Sequence, residues 1–495
     1  MTYAPTDEQQ HAIDAFQTGD NLKIYAGAGT GKTSTLRFIA DAGRGKRGLY
    51  AAFNKAIAAD AKRRFAGTGV QTSTIHSLAY ATHGAPHRDR LNQRFLFPAQ
   101  QKAVLGIDTR FPIGGTYLSW QTILRLTKEA LAQFCRSMDD EPAPHHVTVP
   151  ATVLGRPEEL AALRSYVADK VRVWWADWMS VDGALAWTHD TYLKAWALTH
   201  PQLPYDYVML DEAQDLEPLT RGIMLEQNAQ IIAVGDPNQA IYTWRGATNA
   251  LDAFGGERAM LTQSFRFGDA IAEEANFWLA LLESDMRLSG LPGKDSSVWA
   301  SKRRPEAILT RTNGGAMQEI IDSQQRGIRV GVAGDRKAKE LIDLANAALD
   351  LQRTGKTKHR DLDVFTSWTD VMNYVEDGDA EGDLAALVKV VDKYGAPAVV
   401  KAMESVVPAS AADQVVSTVH VAKGLEWIHV RISEDFQEPK TDKATGEQLP
   451  LAAEEARLAY VAVTRAERHL DPTGLDWAKH MTGGVAVETS EPVLA

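Results

Sequence analysis

The chain has 495 residues, room for about three domains, and its 44% apolar and 24% charged residues are an ordinary balance for a soluble globular protein. A formal charge of −11 argues against bulk electrostatic adhesion to nucleic acid but leaves room for a local basic groove, with Lys62-Arg63-Arg64, Lys302-Arg303-Arg304 and Lys356 to Arg360 as candidate pieces. No apolar run approaches the ~20 residues of a membrane span, the start lacks the basic and apolar regions of a signal peptide, and a single cysteine, Cys135, excludes an internal disulfide and suits a reducing, cytoplasmic compartment.

In chain order, Leu22 to Tyr25 reads as a short strand feeding a Gly-rich loop, with a helix from Ser34 to Asp41 behind it. Gly48 to Phe53 reads as a second strand and Ala56 to Phe65 as an amphipathic helix. From about His83 to Thr199 the pattern turns helical, as in Leu118 to Phe134, broken by the Pro-rich Glu141 to Pro150. Trp174 and Trp178, at helical spacing there, predict a packed core, and His145-His146 predicts solvent-facing side chains rather than a metal site. Strand signals return at Tyr207 to Leu210 and Ile231 to Val234. A second series follows at Ala307 to Thr310, Ile328 to Val332, Val415 to Val419 and Ile428 to Ile432, interrupted by residues 335–411. Alternating strands and helices predict an α/β fold with parallel sheets, in two halves with a cleft between them.

The chemistry concentrates in a few loops. Ala26-Gly-Ala-Gly-Thr-Gly-Lys-Thr33 fits a phosphate loop with Ala26 in place of the first Gly: Gly27, Gly29 and Gly31 free backbone N–H groups for phosphate, Lys32 reaches the β/γ-phosphates and Thr33 ligates Mg²⁺. Asp211-Glu212, at the end of an apolar strand, suits a Mg²⁺ ligand and a residue that positions attacking water. In Gly235 to Ala247, Asp236 and Gln239 are placed to sense a phosphate, and Tyr242 and Trp244 to stack on bases. Arg266 and Arg465 are candidates to neutralise charge in phosphoryl transfer.

Taken in order, Thr6-Asp-Glu-Gln9, the phosphate loop, Asp211-Glu-Ala-Gln-Asp215, Gly235 to Ala247, Gln263-Ser-Phe-Arg266, Val416 to Glu426 and Glu454 to Glu467 resemble the motif series of UvrD/Rep-type superfamily 1A helicases. Phe53-Asn-Lys, Thr74 to Tyr80, His189 to Lys194, Ser264 to Gly268 and Lys423 to Trp427 resemble the helicase region of the F-box DNA helicases in particular. No F-box is found, so ubiquitin-ligase assembly is not expected.

The resemblance implies two RecA-like P-loop domains. The first would comprise 1–82 and 200–256 with a helical insertion at 83–199. The second would comprise 257–334 and 412–482 with a reduced insertion at 335–411, and 483–495 would be a flexible tail. It implies an ATP- and Mg²⁺-dependent enzyme that moves 3′ to 5′ on single-stranded DNA and unwinds duplex at single-strand/duplex junctions, in replication, recombination or repair. Ala26, Gly27, Ala28, Gly29, Thr30, Gly31, Lys32, Thr33 and Ser34 would bind nucleotide, although many relatives carry Arg at the Ser34 position. Gln9 would read adenine, Phe265 stack on it and Glu426 meet the ribose. Gln239 becomes the γ-phosphate sensor, and Arg266 and Arg465 the arginine fingers. Tyr242 and Trp244 would stack on single-stranded bases, with Phe53, Asn54, His76 and His420 on the same track. A monomer is expected, with a recombinase or single-strand-binding protein as possible partner, in a bacterial or phage-infected cytoplasm. The alternatives are a translocase that strips proteins from single strands with little unwinding, and a regulatory P-loop NTPase without DNA.

Overall fold

The computed structural model describes residues 4–52, 55–150, 153, 155–241, 250–334, 336–359, 361–362, 365–376, 383–442, 445–481 and 484–485. Four of the expected DNA contacts, Phe53, Asn54, Tyr242 and Trp244, lie outside the described residues, as does most of the expected tail. The chain forms two compact units. One takes in Met1–Tyr25, Lys32–Gly235 and Tyr242–Met260; the other takes in Ala26–Gly31, Asp236–Ile241 and Leu261–Ala495.

The first unit is built on β1 (Leu22–Ala26), β2 (Gly48–Ala52), β3 (Gln71–Thr74), β6 (Tyr207–Leu210), β7 (Gln230–Gly235) and β8 (Glu257–Leu261), in the order β3-β2-β6-β7-β1-β8. Between β3 and β6 a separate hairpin forms from β4 (Arg110–Ile113) and β5 (Thr116–Ser119). From β3 to β1 every neighbouring pair is parallel, with Leu22 opposite Ile232, Tyr207 opposite Gln230 and Gly48 opposite Tyr207. Every residue of β2 and β6 is buried, as expected of parallel strands covered on both faces, which is why they read as unbroken apolar runs. The chain leaves the carboxyl ends of β1, β6 and β7 into the phosphate loop, Asp211-Glu212 and the Asp236 loop. This is the end of a parallel sheet where α/β folds place ligands.

The segment expected to be helical from His83 to Thr199 carries the helices Pro98–Leu105, Trp120–Arg136, Pro157–Met179 and His189–Ala197. It also holds the β4–β5 hairpin, so the helix expected to begin at Leu118 starts two residues later. The hairpin turns on Gly114 and Gly115, both with positive φ (58° and 74°), the conformation that a two-residue loop between twisted strands requires. Trp174 and Trp178 are buried, as the helical spacing predicts.

The second unit is built on β9 (Ser297–Val298), β10 (Ala307–Thr310), β11 (Val330–Val332), β12 (Gln414–Thr418), β13 (Trp427–Ile432) and β14 (Ala466–Asp471). The order is β11-β12-β10-β13-β14-β9, parallel throughout. Residues 335–411 supply the helices Lys337–Thr354, Trp368–Glu376, Asp383–Tyr394 and Ala396–Glu404. Their Leu341, Ala348, Val371, Leu387 and Val399 share one buried core with Ile308, Val330 and Val416 of the sheet. These helices therefore form a crossover layer on the sheet, where the sequence reading has an interruption of the α/β series.

Candidate nucleotide and nucleic-acid site

Within the first unit, the helix Lys32–Ala42 starts at the phosphate-loop lysine, and Lys32 Nζ lies 4.0 Å from Glu212 Oε1. Thr33 follows in the first turn, where its hydroxyl suits a Mg²⁺ ligand. Asp211 Oδ2 accepts from the Tyr50 hydroxyl at 2.6 Å, and Asp211 Oδ1 accepts from the Glu212 backbone N–H at 3.0 Å. Burial first, and then the neighbouring Glu212 charge, push the Asp211 carboxyl up to about 6. Burial beside this carboxylate also raises the Tyr50 phenol. A carboxyl raised by burial beside a second acid, here Glu212 with its side chain 32% exposed, gains from a cation. Glu212 sits at φ 52°, ψ 42°, a left-handed conformation seldom adopted by a side chain longer than Asn, and Gln214 Nε2 donates to its Oε2 at 2.7 Å. Gly235 leaves room for the Gln214 amide, since a Cβ there would fall 2.2 Å from Gln214 Oε1.

Gln9 is buried (4% exposed), and much of its side-chain amide is committed locally. Its Oε1 accepts from the Thr6 backbone N–H at 3.1 Å, closing a capping box, and its Nε2 donates to Thr35 Oγ1 at 3.1 Å. His76 Nε2 lies 3.8 Å from Asp190 Oδ1. One local expectation changes. His145 is exposed, but His146 is only 5% exposed, because its Nε2 reaches Asp139 Oδ2 at 2.9 Å and the Ala143 backbone N–H donates to its Nδ1 at 3.0 Å. The donor atoms of Asp139, His145 and His146 fall within 4.8 Å of one another. Lys194, quoted only as part of a motif, is fully buried and donates to the Ser137 and Asp139 carbonyls at 2.8 and 2.6 Å. Burial lowers its ammonium to about 8.

Within the second unit, two phosphate-loop glycines are tightly enclosed: a Cβ on Gly27 would fall 2.3 Å from Leu288 Cδ2. Gly29 has φ 74°, and a Cβ there would lie 2.6 Å from both Arg266 Cβ and Ser264 Oγ; Gly31 has φ 80°. The Phe265 backbone N–H donates to the Gly29 carbonyl at 2.8 Å, and Phe265 is 40% exposed. Arg266 donates through Nε to Glu426 at 2.6 Å and through Nη1 to the Thr464 carbonyl at 2.8 Å. Glu426, expected at the ribose, thus also holds an expected arginine finger.

The Asp236 loop is organised around one carboxylate. Asp236 is fully buried and accepts on Oδ2 from Gln239 Nε2 at 2.6 Å and from the Tyr460 hydroxyl at 2.9 Å; on Oδ1 it accepts from the Asn238 backbone N–H at 3.0 Å. Arg465 (2% exposed) donates through Nη2 to Gln239 Oε1 at 3.3 Å, and Lys423 Nζ donates to the Gln239 carbonyl at 2.6 Å. The expected sensor and one expected finger are therefore brought together. Burial and the Asp236 charge raise the Tyr460 phenol well above its ordinary value. Asp236, Tyr460 and Lys423 had no assigned partners in the sequence, since these contacts join residues far apart in it. His420, on the helix Val419–Ala422, is held to about 4 by burial first and then by the Arg311 charge, so its imidazole is neutral at physiological pH.

A phosphate-loop sequence, a paired acid and a buried glutamine at the ends of parallel strands are the features of a P-loop nucleotide-binding protein. The UvrD/REP helicase N-terminal domain model matches residues 5–251 and the UvrD-like helicase C-terminal domain model matches residues 307–471; the chain belongs to the UvrD-like helicase family. It is 29% identical over 502 residues to F-box DNA helicase 1 of Gallus gallus, covering 94% of this chain and 48% of that one. It is 28% identical over 517 residues to F-box DNA helicase protein 1 of Schizosaccharomyces pombe, covering 94% and 57%. To ATP-dependent DNA helicase UvrD2 of Mycobacterium bovis it is 26% identical over 586 residues, covering 97% and 80%. The chain spans about half the length of the two F-box relatives.

Proposed function

We infer that the protein is an ATP- and Mg²⁺-dependent motor that translocates 3′ to 5′ on single-stranded DNA and unwinds duplex at junctions, in replication, recombination or repair. Family membership and the relatives' names support this, and the observation that carries it is the Asp236 loop. Gln239, joined to Arg465 and Asp236 by hydrogen bonds, leads within three residues to Tyr242 and within five to Trp244. A phosphate sensor so close in the chain to a pair of stacking aromatics suits a device that converts nucleotide state into grip on a strand.

In this reading 1–82 with 200–256 and 257–334 with 412–482 are the two motor domains, 83–199 is the first insertion and 335–411 the reduced second. Lys32 and the loop N–H groups hold phosphate, and Thr33 and Asp211 hold Mg²⁺. The enclosed Gly27 and Gly29 and the buried, raised Asp211 carboxyl support that assignment. When bound, Mg²⁺ supplies charge neutralisation at the phosphate oxygens. Glu212 orients water, and Arg266 and Arg465 offset charge in phosphoryl transfer. Phe265 stacks on the base of ATP, and Gln9 and Glu426 are assigned to adenine and ribose. His76 and His420 join the aromatics along the strand, and the polarity rests on the family resemblance.

Strand displacement on 3′- and 5′-tailed duplexes tests the proposal. Displacement from the 3′ tail alone is expected, and displacement from the 5′ tail alone overturns the polarity. One observation favours a second reading, a translocase that strips proteins such as recombinase or single-strand-binding protein. The helices of 335–411 bury into the second sheet's own core instead of forming a body of their own. DNA-stimulated hydrolysis without displacement is its signature, and hydrolysis indifferent to DNA leaves only a regulatory NTPase.

A further inference from the structure

The helical segment of the first unit brings together three side chains of metal-ligating type that the sequence alone does not connect. Helix Trp120–Arg136 ends in a loop, 137–147, in which Asp139 stands six positions before His145. Pro142 and Pro144 restrict the backbone between them. A short 3₁₀ turn, Pro144–His146, sets the two imidazoles side by side, their ring centroids 4.2 Å apart. Both rings reach back to one carboxylate oxygen: His145 Nε2 lies 2.6 Å and His146 Nε2 2.9 Å from Asp139 Oδ2. The three donor atoms all fall within 4.8 Å of one another. His146 is buried, with its ring edge to face against Phe134 at 5.5 Å, which fixes its orientation. Buried Lys194 fastens the start of the loop through the Ser137 and Asp139 carbonyls.

We propose that Asp139, His145 and His146 bind one divalent transition-metal ion of the zinc class, which pins the loop 137–147 against helix Trp120–Arg136. Two imidazoles and a carboxylate are a ligand set for zinc and its neighbours in the first transition row, and three protein ligands leave one tetrahedral position to water. Zinc bonds of about 2.0–2.1 Å set tetrahedral ligand atoms about 3.3 Å apart, so each contact to Asp139 opens by only about 0.4 to 0.7 Å to admit an ion. The protons also fit. His146 Nδ1 lies 3.2 Å from the Ala143 carbonyl oxygen, so when Nε2 gives up its proton to hold metal, Nδ1 carries one and donates it there. Such an outer hydrogen bond is the usual orienting partner of a metal-bound imidazole. Lys194 brings an opposing charge, but Asp139 and Asp140 both favour positive charge at this place, and Glu141 follows them in the chain. The site shares no residue with the proposed nucleotide and strand contacts, so it stands or falls apart from the motor reading.

Hydrogen bonding alone would give similar distances, and zinc titration separates the two cases. The untagged full chain is stripped of metal, kept reduced, and held in excess Mg²⁺ to occupy the proposed nucleotide-site acids. It is expected to take up one zinc per chain in a saturable step and to gain several degrees in thermal midpoint. X-ray absorption of the zinc-loaded protein is expected to show two imidazoles, with oxygen in the remaining positions. Asp139→Asn and His145→Ala, at half-buried and exposed positions, spare the buried His146. Each is expected to weaken zinc uptake at least about 10-fold and to abolish the gain in midpoint. His145→Cys loses the imidazole hydrogen bond but keeps a metal ligand, and is expected to bring uptake back to within about 10-fold of the parent. No saturable uptake, or uptake unchanged in both variants (an adventitious ion only), overturns the proposal. So does a His145→Cys chain that recovers none of the binding lost in His145→Ala, since the loss would then belong to the fold and not to the ligand.

Discussion

At the scale of single residues, the proposed activity rests on a few polar groups expected where charge develops. Lys32→Ala removes the only cation of the phosphate loop and is expected to lower ATP turnover by at least about 10²-fold, read in a steady-state phosphate-release assay. Undiminished turnover would mean that the nucleotide binds elsewhere. His420 gives a pH prediction whose sign follows from its environment. Burial is the largest influence and disfavours the imidazolium, as do Arg311 and Lys337, while Asp383 and Glu455 favour it, leaving the group at about 4 against an ordinary 6.5. Because the folded value lies below the unfolded one, the unfolded chain takes up the proton first. This contribution to stability is complete above pH 6.5 and is lost as pH falls towards 4. Denaturant titrations of the parent and of His420→Asn are expected to converge as pH drops through that window. A parent that gains on the variant in acid would contradict the neutral assignment. Between pH 6.5 and 8 strand affinity is expected to be insensitive to His420 ionisation, since a neutral ring contacts bases by stacking rather than by charge.

At the scale of elements, what was legible in the sequence follows burial. β1, β2, β6, β7 and β10 are apolar runs because parallel strands inside a sheet are covered on both faces. β3 and β8, at the sheet edges, are half-exposed and largely polar, and β14 carries Glu467, Arg468 and His469 in succession, so none shows as an apolar run. The β4–β5 hairpin had a readable signal in Gly114-Gly115 flanked by Phe, Ile, Tyr and Leu. The phosphate loop and acid pair were legible because backbone chemistry fixes their spacing. The partners of Asp236 were not, because the Tyr460 contact spans 224 positions of sequence. Loop geometry yields its own prediction. Gly29→Ala places a Cβ 2.6 Å from Arg266 Cβ at a φ of 74°, and is expected to displace the loop and lower turnover about 10²-fold. Gly19→Ala is the control: φ is 90°, but no atom lies within 4 Å of the new Cβ, so a modest drop in thermal midpoint with turnover retained is expected. Equal loss of turnover in both variants would trace the effect to backbone strain and not to crowding.

At the scale of the whole molecule, each unit carries its own parallel sheet and its own share of the assigned residues. With a charge of −11, the protein's hold on a polyanion has to come from a local track, and a shallow salt dependence is expected. Asp236 carries a consequence for how ligands influence each other. One buried carboxylate secures both the Gln239 amide and the Tyr460 hydroxyl, at the head of the segment that leads to Tyr242 and Trp244. If that carboxylate is the shared fulcrum, thermodynamic reciprocity applies: the factor by which a strand tightens nucleotide must equal the factor by which nucleotide tightens the strand. In Asp236→Asn both factors are expected to shrink together towards one, measured by titrating each ligand in the presence and absence of the other. A variant in which coupling survives intact would move the fulcrum to another residue. A single ionisable side chain would then set the exchange rate between chemical state and mechanical grip.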